Sequence, residues 1–417
     1  MNSLESATQS AGARLIKRLA IMRRISQRSD WIERIIFSPA SEEAAYRIKS
    51  WMDASGMETY NDPLTNVYGQ KSFSKEGTQA PRIHIGSHYD TVVNAGAFDG
   101  ILGVLIGIAV VEAIVESKHP FNHNLSVLAF CDEEGVRFNT TFLGSAYLTG
   151  LFKEEWLHKE DEYGKTLGEW LVDRAESIDT ILNAYKTPYI RPQDVFLESH
   201  IEQGPILEKS NCALGVFINI AAQRRSEIIL TGCAGHAGTI PASLRNDPLP
   251  VASEMVLAVN QMCKSDELIR ATVGHLEVIP NASNVIQGTV KFSIDMRYPD
   301  LKGLKRVHDK LSQEIESIAK RSALKFEYKL VHEANDTQLD QRLTDILAES
   351  CEVMQGSSPR MFSGAGHDSM KVAQVCPASM LAVRCKDGLS HHPDEFASNA
   401  DCICLLYTSD AADEYDR

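Results

Sequence analysis

The sequence predicts an α/β protein with an open sheet and a second, smaller α+β domain inserted into it. At 417 residues the chain is too long for one ordinary hydrophobic core, and its 43% apolar and 24% charged residues are typical of a globular protein. Short apolar strands alternate with helical stretches up to residue 218, whereas 219–330 follows the order β-α-β-β-α-β of a ferredoxin-like unit. From residue 331 the first pattern resumes, so the first domain is predicted to be discontinuous.

Helices and strands alternate in the first part of the chain. Apolar residues at helical spacing predict a helix over 12–28, and Ser41 followed by two glutamates predicts the start of a second helix that Gly56 ends. Residues 100–116 are long enough for a helix, and because their apolar side chains surround the axis, this helix is expected to be buried between layers. Apolar runs predict strands over 66–68, 83–86, 125–131 and 194–197.

In the inserted domain and beyond it, the elements follow from the same periodicities. Strands are predicted over 225–231, 271–278, 285–296 and 325–331, and helices over 248–262 and 301–322. A helix at about 338–355 and a strand around 380–383 return the chain to the first domain.

Charge and cysteine usage exclude several classes of partner. The net charge of −14 argues against nucleic acid or an anionic membrane surface, although a small anionic substrate needs only a local arginine. The longest apolar run, 101–115, is too short to span a bilayer, and the N-terminus lacks a signal-peptide pattern. The nine cysteines contain no CxxC pair, which suits a reducing compartment, so we expect a soluble, cytoplasmic protein.

Metal-competent side chains follow the predicted strands at several points. His88, Asp90 and Asp99 come after one strand, and further clusters follow others: Glu133-Glu134, His200 and His391. Open α/β sheets collect their ligands at the carboxyl ends of the strands, so these clusters are expected to meet. Each has an ordinary alternative, because a His-X-Asp pair can be a structural hydrogen bond and two glutamates can be a solvated turn.

Together these side chains suit a hydrolytic site with two divalent ions. Such ions polarise a carbonyl group and lower the pKa of water, and they require a bridging carboxylate and a nearby base that is not itself a ligand. Adjacent Glu133 and Glu134 leave an irregular turn in different directions, so one can bind a metal while the other moves a proton.

The residues lie in longer motifs that identify a family. In chain order these are GSHYDTVVNAGAFDG, FCDEEGVRF, LESHIEQGP, GHAGTIP, a stretch from Asn284 that ends in DMR, SGAGHDSM and DGLSHHPDE. With them, over almost its whole length, the chain resembles the M20 metallopeptidase family. It is most similar to the amidohydrolase branch, which comprises N-carbamoyl-L-amino-acid hydrolases, β-ureidopropionases and allantoate amidohydrolases.

The resemblance implies an architecture and a metal centre. It implies a mixed-sheet α/β catalytic domain of the zinc-peptidase type over 1–218 and 331–403, with an inserted ferredoxin-like lid and dimerisation domain over 219–330. It also implies two divalent ions per subunit, zinc or manganese. The implied ligands are His88 and His200 for one ion and Glu134 and His391 for the other, with Asp99 bridging, Glu133 as general base and acid, and Asp90 orienting His88.

Substrate contacts follow from the same motifs. The resemblance implies that Gln203, Asn284 and Arg297 bind the polar groups and the carboxylate of a small substrate. It further implies a homodimer in which His236 reaches the partner subunit's site and stabilises the developing oxyanion. Residues of the SGAGHD motif are expected to shape the pocket: Gly364, Gly366 and His367, with Asp368 either there or capping the next helix. The role of His392 stays open.

His200 indicates the branch of the family. Peptidases of the wider family commonly carry a carboxylate at this ligand position, whereas the branch that hydrolyses ureido groups carries histidine, so the resemblance implies an amidohydrolase acting on linear amides or amidines. FCDEEGVRF and the following TTFLGSAYLTG are most similar to allantoate amidohydrolases, which convert allantoate to ureidoglycine, ammonia and carbon dioxide. The alternatives are an N-carbamoyl-L-amino-acid hydrolase or a β-ureidopropionase, then a dipeptidase, and last a binding protein with an inactive site.

The acidic ending of the chain differs from what precedes it. Residues 404–417 read CLLYTSDAADEYDR, which matches the translation of a transposon-type sequencing adapter. We therefore predict that 404–417 is a non-native tail that replaces the last natural helix. All predicted ligands lie upstream of it.

Overall fold

The computed structural model describes residues 3–75, 77, 80–118, 120–174 and 177–411. Its helices are α1 Ser3–Met22, α2 Pro39–Ala54, α3 Ile101–Ser117, α4 Leu143–Leu148, α5 Leu167–Val172, α6 Ile178–Tyr185, α7 Ile206–Ser210, α8 Pro248–Ser265, α9 Leu301–Lys320, α10 Gln341–Gln355, α11 Ser369–Val372 and α12 Asn399–Ala411. Short 3₁₀ helices lie at Glu154–His158, Ala242–Leu244 and Lys386–Gly388. Its strands are β1 Glu58–Asn61, β2 Val67–Lys71, β3 Arg82–His88, β4 Asn124–Phe130, β5 Val195–Ile201, β6 Leu214–Ile220, β7 Ala222–Thr231, β8 Gly235–His236, β9 Arg270–Thr272, β10 Leu276–Ile279, β11 Val285–Ile286, β12 Thr289–Tyr298, β13 Lys325–Ala334, β14 Thr337–Gln338, β15 Arg360–Ser363 and β16 Ala378–Val383.

The chain forms two compact units. The first comprises Met1–Ile218, Gln338–Met361 and His367–Arg417, and the second comprises Asn219–Thr337 and Phe362–Gly366. The second unit thus ends at Thr337, whereas the sequence boundary was placed at 330/331, inside β13. Residues 362–366, which we had assigned to the catalytic domain, group with the second unit because Ala221 donates its backbone N–H to the Ser363 carbonyl.

A nine-stranded mixed sheet organises the first unit. Its order is β1-β2-β4-β3-β5-β16-β6-β14, with β15 paired to β6. The four central strands β4, β3, β5 and β16 are parallel, and the flanking pairs β2/β4 and β16/β6 are antiparallel. The carboxyl ends of the four parallel strands therefore meet at one edge of the sheet.

The helices of the first unit show where the sequence patterns succeeded and where they failed. α3 is buried along almost its whole length, as its all-round apolar sequence predicted, and it packs on β3, β4 and β5. The first helix was misplaced: it begins at Ser3 and ends at Met22. The cap of α2 was also wrong, since Ser38 accepts the Ser41 backbone N–H and Pro39 occupies the first turn.

The second unit contains an antiparallel sheet with helices on one face. The order β10-β12-β7-β13, with β9 beside β12, places β7 and β12 at the centre, which are the first and third strands of the β-α-β-β-α-β unit, and this is the ferredoxin-like arrangement. α8 and α9 bury apolar side chains against alternate residues of β7 and β12, including Ile228, Phe292 and Ile294. The fold-class prediction is confirmed. Two of the predicted strands are each divided, 271–278 into β9 and β10 and 285–296 into β11 and β12.

The last helix runs through the predicted start of the foreign tail. α12 continues from Asn399 to Ala411, buries Leu405 and Leu406, and packs against α1, α3 and α10. Residues 404–411 of the predicted tail therefore continue this helix. Residues 412–417 lie outside the described part, and the adapter origin of 404–417 stays a prediction. Among the helices that the structure describes, none is both long enough and apolar enough to cross a membrane.

Candidate metal centre

Two buried histidines lie side by side at the carboxyl edge of the parallel strands. His88 is the last residue of β3 and His200 the penultimate residue of β5, and the two strands are hydrogen-bonded neighbours. Their imidazoles are each 2% exposed, and the two Nε2 atoms are 3.5 Å apart. The sequence pattern predicted that both residues follow their strands, but both lie within the strands. Strand pairing alone thus brings together two residues 112 positions apart in the chain.

Asp99 connects these histidines to a third one. Its Oδ1 lies 3.0 Å from His200 Nε2 and 3.5 Å from His88 Nε2. Its Oδ2 lies 3.2 Å from Nε2 of His391, which follows β16 in the sequence. Oδ1 of this carboxylate therefore faces His88 and His200, whereas Oδ2 faces His391.

Glycine at position 100 permits this approach. Gly100 has φ +65°, and a Cβ at this position would lie 2.4 Å from Cε1 and Nε2 of the His88 ring. Neither the backbone conformation nor the space tolerates a side chain there. The glycine after Asp99 thus determines where His88 can lie.

The two adjacent glutamates occupy different places, as predicted. Glu134 Oε1 lies 3.3 Å from His391 Nε2, so these two side chains form a set with Asp99. Glu133 is 7% exposed and groups instead with His88 and Glu134. No described residue donates a hydrogen bond to the Glu133 carboxylate, which leaves its oxygens available for a reaction.

Asp90 holds the turn that carries these glutamates. Its Oδ1 and Oδ2 accept the backbone N–H groups of Glu133 and Glu134 at 3.1 and 3.2 Å. Its Oδ1 is 3.6 Å from His88 Nδ1, whereas the Asp90 carbonyl oxygen is closer, at 3.2 Å. Asp90 therefore acts on His88 partly through its backbone, and its carboxylate chiefly fixes the glutamate turn.

The donor set suits divalent metal ions. The described chain contains three groups of possible ligands, and within each group the ligand atoms lie within 4.8 Å of one another. The groups are His88, Asp99 and His200; Asp99, Glu134 and His391; and His88, Glu133 and Glu134. His200 Nδ1 lies 2.9 Å from the Ile201 carbonyl oxygen, which can only accept, so Nδ1 donates a hydrogen bond to it and Nε2 is the nitrogen that faces Asp99. Imidazole nitrogens and carboxylate oxygens in this arrangement are typical ligands of zinc or manganese.

The electrostatics of the cluster favour bound positive charge. Burial disfavours ionised Asp99, but hydrogen bonds from His200, His391 and His88 hold its pKa well below the ordinary value. Hydrogen bonds with Asp99 and Glu134 raise the pKa of His391 to about 10. Burial raises the pKa of Glu133 well above the ordinary value, because its carboxylate has little compensating solvation.

Two further residues of the DGLSHHPDE motif, Ser390 and Glu395, lie in this site, although the motif alone implied no role for them. Glu395 Oε1 accepts the backbone N–H groups of Phe98 and Asp99 at 2.8 and 3.0 Å, and its Oε2 is 3.0 Å from Ser390 Oγ. Ser390 Oγ in turn lies 2.8 Å from Asp99 Oδ2. A Cβ on Gly96 would lie 2.1 Å from the Glu395 carboxyl carbon, so a glycine leaves room for this side chain. Glu395 and Ser390 thus fix the loop that carries Asp99.

Gln203 lies at the margin of the cluster. Its Nε2 is 3.1 Å from both Asp99 Oδ2 and Ser390 Oγ. Its Oε1 is buried and has no hydrogen-bond partner among the described residues. The backbone at Gln203 is in the left-handed region, with φ 55°. A buried amide oxygen without a partner is available to a donor on a ligand.

The SGAGHD motif is divided between the two units. His367 packs edge-on against His200 with ring centroids 4.5 Å apart, and burial holds its pKa well below the ordinary value, so this imidazole stays neutral. Asp368 is buried and occupies the N-cap position of α11 without a side-chain capping bond, which removes the helix-capping alternative. Gly364 belongs to the second unit and accepts a hydrogen bond from Arg297. His392 is exposed, and its Nδ1 accepts the Asp394 backbone N–H.

The remaining predicted residues lie in the second unit. His236 in β8 and Val285 in β11 are paired, and the Ala237 N–H donates to the Asn284 carbonyl at 3.0 Å, so His236 and Asn284 lie close together at one small two-stranded sheet. His236 is exposed. Arg297 lies on β12, where Asp295 binds its guanidinium.

An α/β sheet with such a cluster at its carboxyl edge defines the class of protein as a candidate metal-dependent hydrolase. A sequence profile of the Peptidase family M20/M25/M40 matches residues 84–407, and the chain belongs to this family. The resemblance found in the sequence and the hydrolase class it implied are thereby confirmed.

Relatives with curated functions extend over nearly the whole chain. The chain is 35% identical over 383 residues to the N-carbamoyl-L-amino-acid amidohydrolase of Pseudomonas sp. strain NS671, covering 91% of this chain and 92% of the relative. It is 35% identical to allantoate deiminase 1 of Glycine max, covering 93% of this chain and 86% of the relative. Among solved structures, it is similar to an amidase of the hydantoinase/carbamoylase family from Burkholderia multivorans, with a TM-score of 0.87, 32% identity and 96% coverage of both chains.

Proposed function

We propose that the protein is a hydrolase with two divalent ions that cleaves a ureido or carbamoyl C–N bond of a small carboxylate substrate. The observation that carries the proposal is the position of Asp99, whose two oxygens face separate imidazole sets. On this basis His88 and His200 would hold one ion and Glu134 and His391 the other, with the Asp99 carboxylate shared between the two. Zinc and manganese both suit these ligands.

Residues of this chain carry the proton transfers. Bound at these ligands, divalent ions polarise the substrate carbonyl and lower the pKa of the attacking water. Glu133 takes the proton from that water at its carboxylate and returns it to the leaving nitrogen, because its oxygens are buried and free of other donors. Asp90 holds Glu133 and Glu134 in their separate directions through their backbone N–H groups.

Three side chains are proposed to bind the substrate. Gln203 Oε1, which has no partner in the described chain, accepts an N–H of the ureido group. Arg297 offers its planar guanidinium to the carboxylate, and Asn284 binds a polar group. We propose a homodimer in which His236 of one subunit donates a hydrogen bond to the oxyanion that forms in the site of the other. All nine cysteines lie in the described chain and none of them forms a disulfide, which fits the reducing, cytoplasmic environment predicted from the sequence.

Allantoate is the substrate that we propose, with ureidoglycine, ammonia and carbon dioxide as products. FCDEEGVRF and the following TTFLGSAYLTG support this choice, as does the similarity to the Glycine max allantoate deiminase. The second candidate is an N-carbamoyl-L-amino acid, which the similarity to the Pseudomonas enzyme favours. Both substrates present a carboxylate and a ureido or carbamoyl carbonyl, so the same residues serve either one.

Ammonia release distinguishes the two candidates. The purified protein, loaded separately with zinc or manganese, is assayed with allantoate and with N-carbamoyl-L-alanine at equal concentration, and metal content is measured on the same samples. We expect two ions per subunit and faster release from allantoate. Equal or faster release from N-carbamoyl-L-alanine would contradict the allantoate assignment, and a single ion per active subunit would contradict the bridging role of Asp99.

A further inference from the structure

Asp295 lies at the centre of a polar cluster on one face of the second unit's sheet. Alternate residues of β12, such as Ile294 and Met296, are buried beneath α8 and α9, so Asp295 and Arg297 lie on the opposite face. In the antiparallel register Arg225 of β7 is directly opposite Asp295, and Gln223 is directly opposite Arg297. Directly paired residues project to the same face of a sheet, so these four side chains share one surface.

The Asp295 carboxylate connects the other three side chains. Arg297 Nε is 2.9 Å from Asp295 Oδ1, and Arg297 Nη2 is 3.2 Å from Oδ2. The same Oδ2 accepts Gln223 Nε2 at 2.7 Å and Arg225 Nε at 2.9 Å. Burial disfavours the ionised form of Asp295, but the hydrogen bonds from Arg297, Arg225 and Gln223 lower its pKa. Asp295 is thus an ionised acceptor for three side chains.

These contacts determine which part of Arg297 is available. A guanidinium has five N–H donors in a planar fork. Asp295 uses two of them on the Nε–Nη2 edge, and the Gly364 carbonyl accepts one from Nη1. Two donors remain, which is the number that a carboxylate needs for a two-point contact. The pairing with Asp295 therefore fixes the plane of the fork while leaving enough donors for a substrate.

The charge of the cluster depends on the second arginine. Asp295 and Arg297 together are neutral, so their pair alone has little attraction for an anion. Arg225, whose side chain is 54% exposed, brings the three-residue group to a net charge of +1 in a chain whose overall net charge is −14. Local positive charge of this kind attracts a small anionic substrate.

We propose that Asp295 is the positioning residue for Arg297 and that Arg225 keeps the cluster cationic when the substrate carboxylate binds. This rests on the proposed function, in which Arg297 is the carboxylate contact. Asp295 orients the fork through its Nε–Nη2 edge, and Arg225 replaces the charge that Asp295 neutralises. Neither residue takes part in the proton transfers, so both act on substrate binding rather than on turnover.

Steady-state kinetics of the metal-loaded enzyme test the proposal. In Asp295→Asn the side chain keeps its shape, but it loses its charge and presents an N–H₂ group to the arginines. We expect KM to rise on the order of tenfold, as for the loss of a charged hydrogen bond, with kcat changed less than about twofold. Glu227→Gln is the matched control, because Glu227 pairs with Lys291 on the same face and lies two residues from Arg225. Its KM should remain that of the wild type.

A double-mutant cycle separates this proposal from the proposed function. If Asp295 acts through Arg297, Asp295→Asn should cause no further rise in KM in an Arg297→Ala background. The same rise in KM in both backgrounds, or a lower kcat with unchanged KM, would overturn the positioning role. Unchanged KM in Arg297→Ala alone would instead contradict the carboxylate contact of the proposed function.

Arg225→Gln is the second variant, for use if Asp295→Asn does not fold. It removes the net positive charge and leaves the Asp295–Arg297 pair intact, so we expect a severalfold rise in KM at low salt that shrinks at high salt. Unchanged KM at low salt would overturn the charge role of Arg225. Thermal unfolding of every variant, compared with Glu227→Gln, establishes that the fold is retained.

Discussion

Gly100→Ala should disrupt the metal centre without adding a polar group or removing a ligand. In the structure a Cβ at position 100 would lie 2.4 Å from two atoms of the His88 ring, whereas ordinary contact begins at about 3.4 Å. The imidazole must therefore move by roughly 1 Å, the difference between these two distances. Metal–ligand distances tolerate only about 0.2 Å, so this movement removes His88 from effective coordination.

The expected loss of metal affinity is at least about 100-fold, the upper end of what the loss of an outer-shell partner produces. Folding is also affected, because alanine at φ +65° costs about 1–3 kcal/mol of backbone strain. Gly164→Ala separates the two effects. Gly164 has φ +78° and nothing within 4 Å of its missing Cβ, so it reports the strain without the collision.

The assay is competition with a chromophoric chelator, combined with urea unfolding of the metal-free proteins. Gly100→Ala should bind metal far more weakly than Gly164→Ala, and it should also lose more free energy of unfolding, because it adds the collision with His88 to the backbone strain. The reasoning fails if Gly100→Ala binds metal as tightly as Gly164→Ala does. His88→Ala provides the reference for complete loss of this ligand.

Further predictions concern other parts of the chain. Glu133→Gln should keep its metals and lose turnover by about 10²–10⁴-fold, measured by metal analysis and ammonia release, and retained activity would exclude Glu133 as the base. Glu395→Ala leaves the Phe98 and Asp99 N–H groups without their acceptor, so chelator competition should show affinity reduced by about 10–100-fold. Asp194 is buried, and pairing with His84, Arg191 and Arg82 lowers its pKa even though burial opposes this. Its stabilisation is thus complete above the unfolded pKa of about 3.9 and is lost as pH falls through the folded pKa, and Asp194→Asn should cost about 3–5 kcal/mol in urea unfolding at pH 7. Exposed Asp53→Asn is its control and should change stability little. The coding DNA across Leu405–Ser409 should contain TCTTATACACATCT, and any other codon choice would contradict an adapter origin.

The sequence could bring the proposed ligands His88 and His200 together because both lie near the carboxyl ends of neighbouring parallel strands. His88 and His200 end apolar runs that are too short for helices, and parallel strands must bring such ends to one edge. Asp99 was less accessible to this reasoning, since it lies in an irregular loop before α3. The family motif identified it, and Gly100 beside it now supplies a physical reason for the motif.

Elements without a strong apolar pattern were harder to place. β1 is a polar edge strand of four residues, so its sequence resembles a loop. The start of α2 was missed because Ser38 and Ser41 both satisfy the rule for capping residues. Pro39 is the deciding signal, since proline is favoured in the first turn and could not lie deeper in the helix.

Glu395 shows what sequence patterns leave hidden. It lies 296 residues from the Asp99 backbone N–H that it accepts, in a polar loop with no periodicity. The sequence feature that relates to Glu395 is Gly96, because a side chain at position 96 would occupy the space of the Glu395 carboxylate. Glycines in a ligand-bearing loop are therefore best interpreted as space reserved for a partner from elsewhere in the chain.

The proposed metal site and the proposed substrate-carboxylate site depend on folding in different ways. The metal ligands are drawn from residues 88 to 391, so the site exists only when the strands β3, β5 and β16 and the loop after β4 are assembled. Metal binding is then linked to folding of the whole first unit. The polar cluster around Asp295 instead depends on one pair of neighbouring strands and a single carbonyl from Gly364. Variation at Gln223 or Arg225 can thus change substrate binding without disturbing the residues proposed to hold the metal ions.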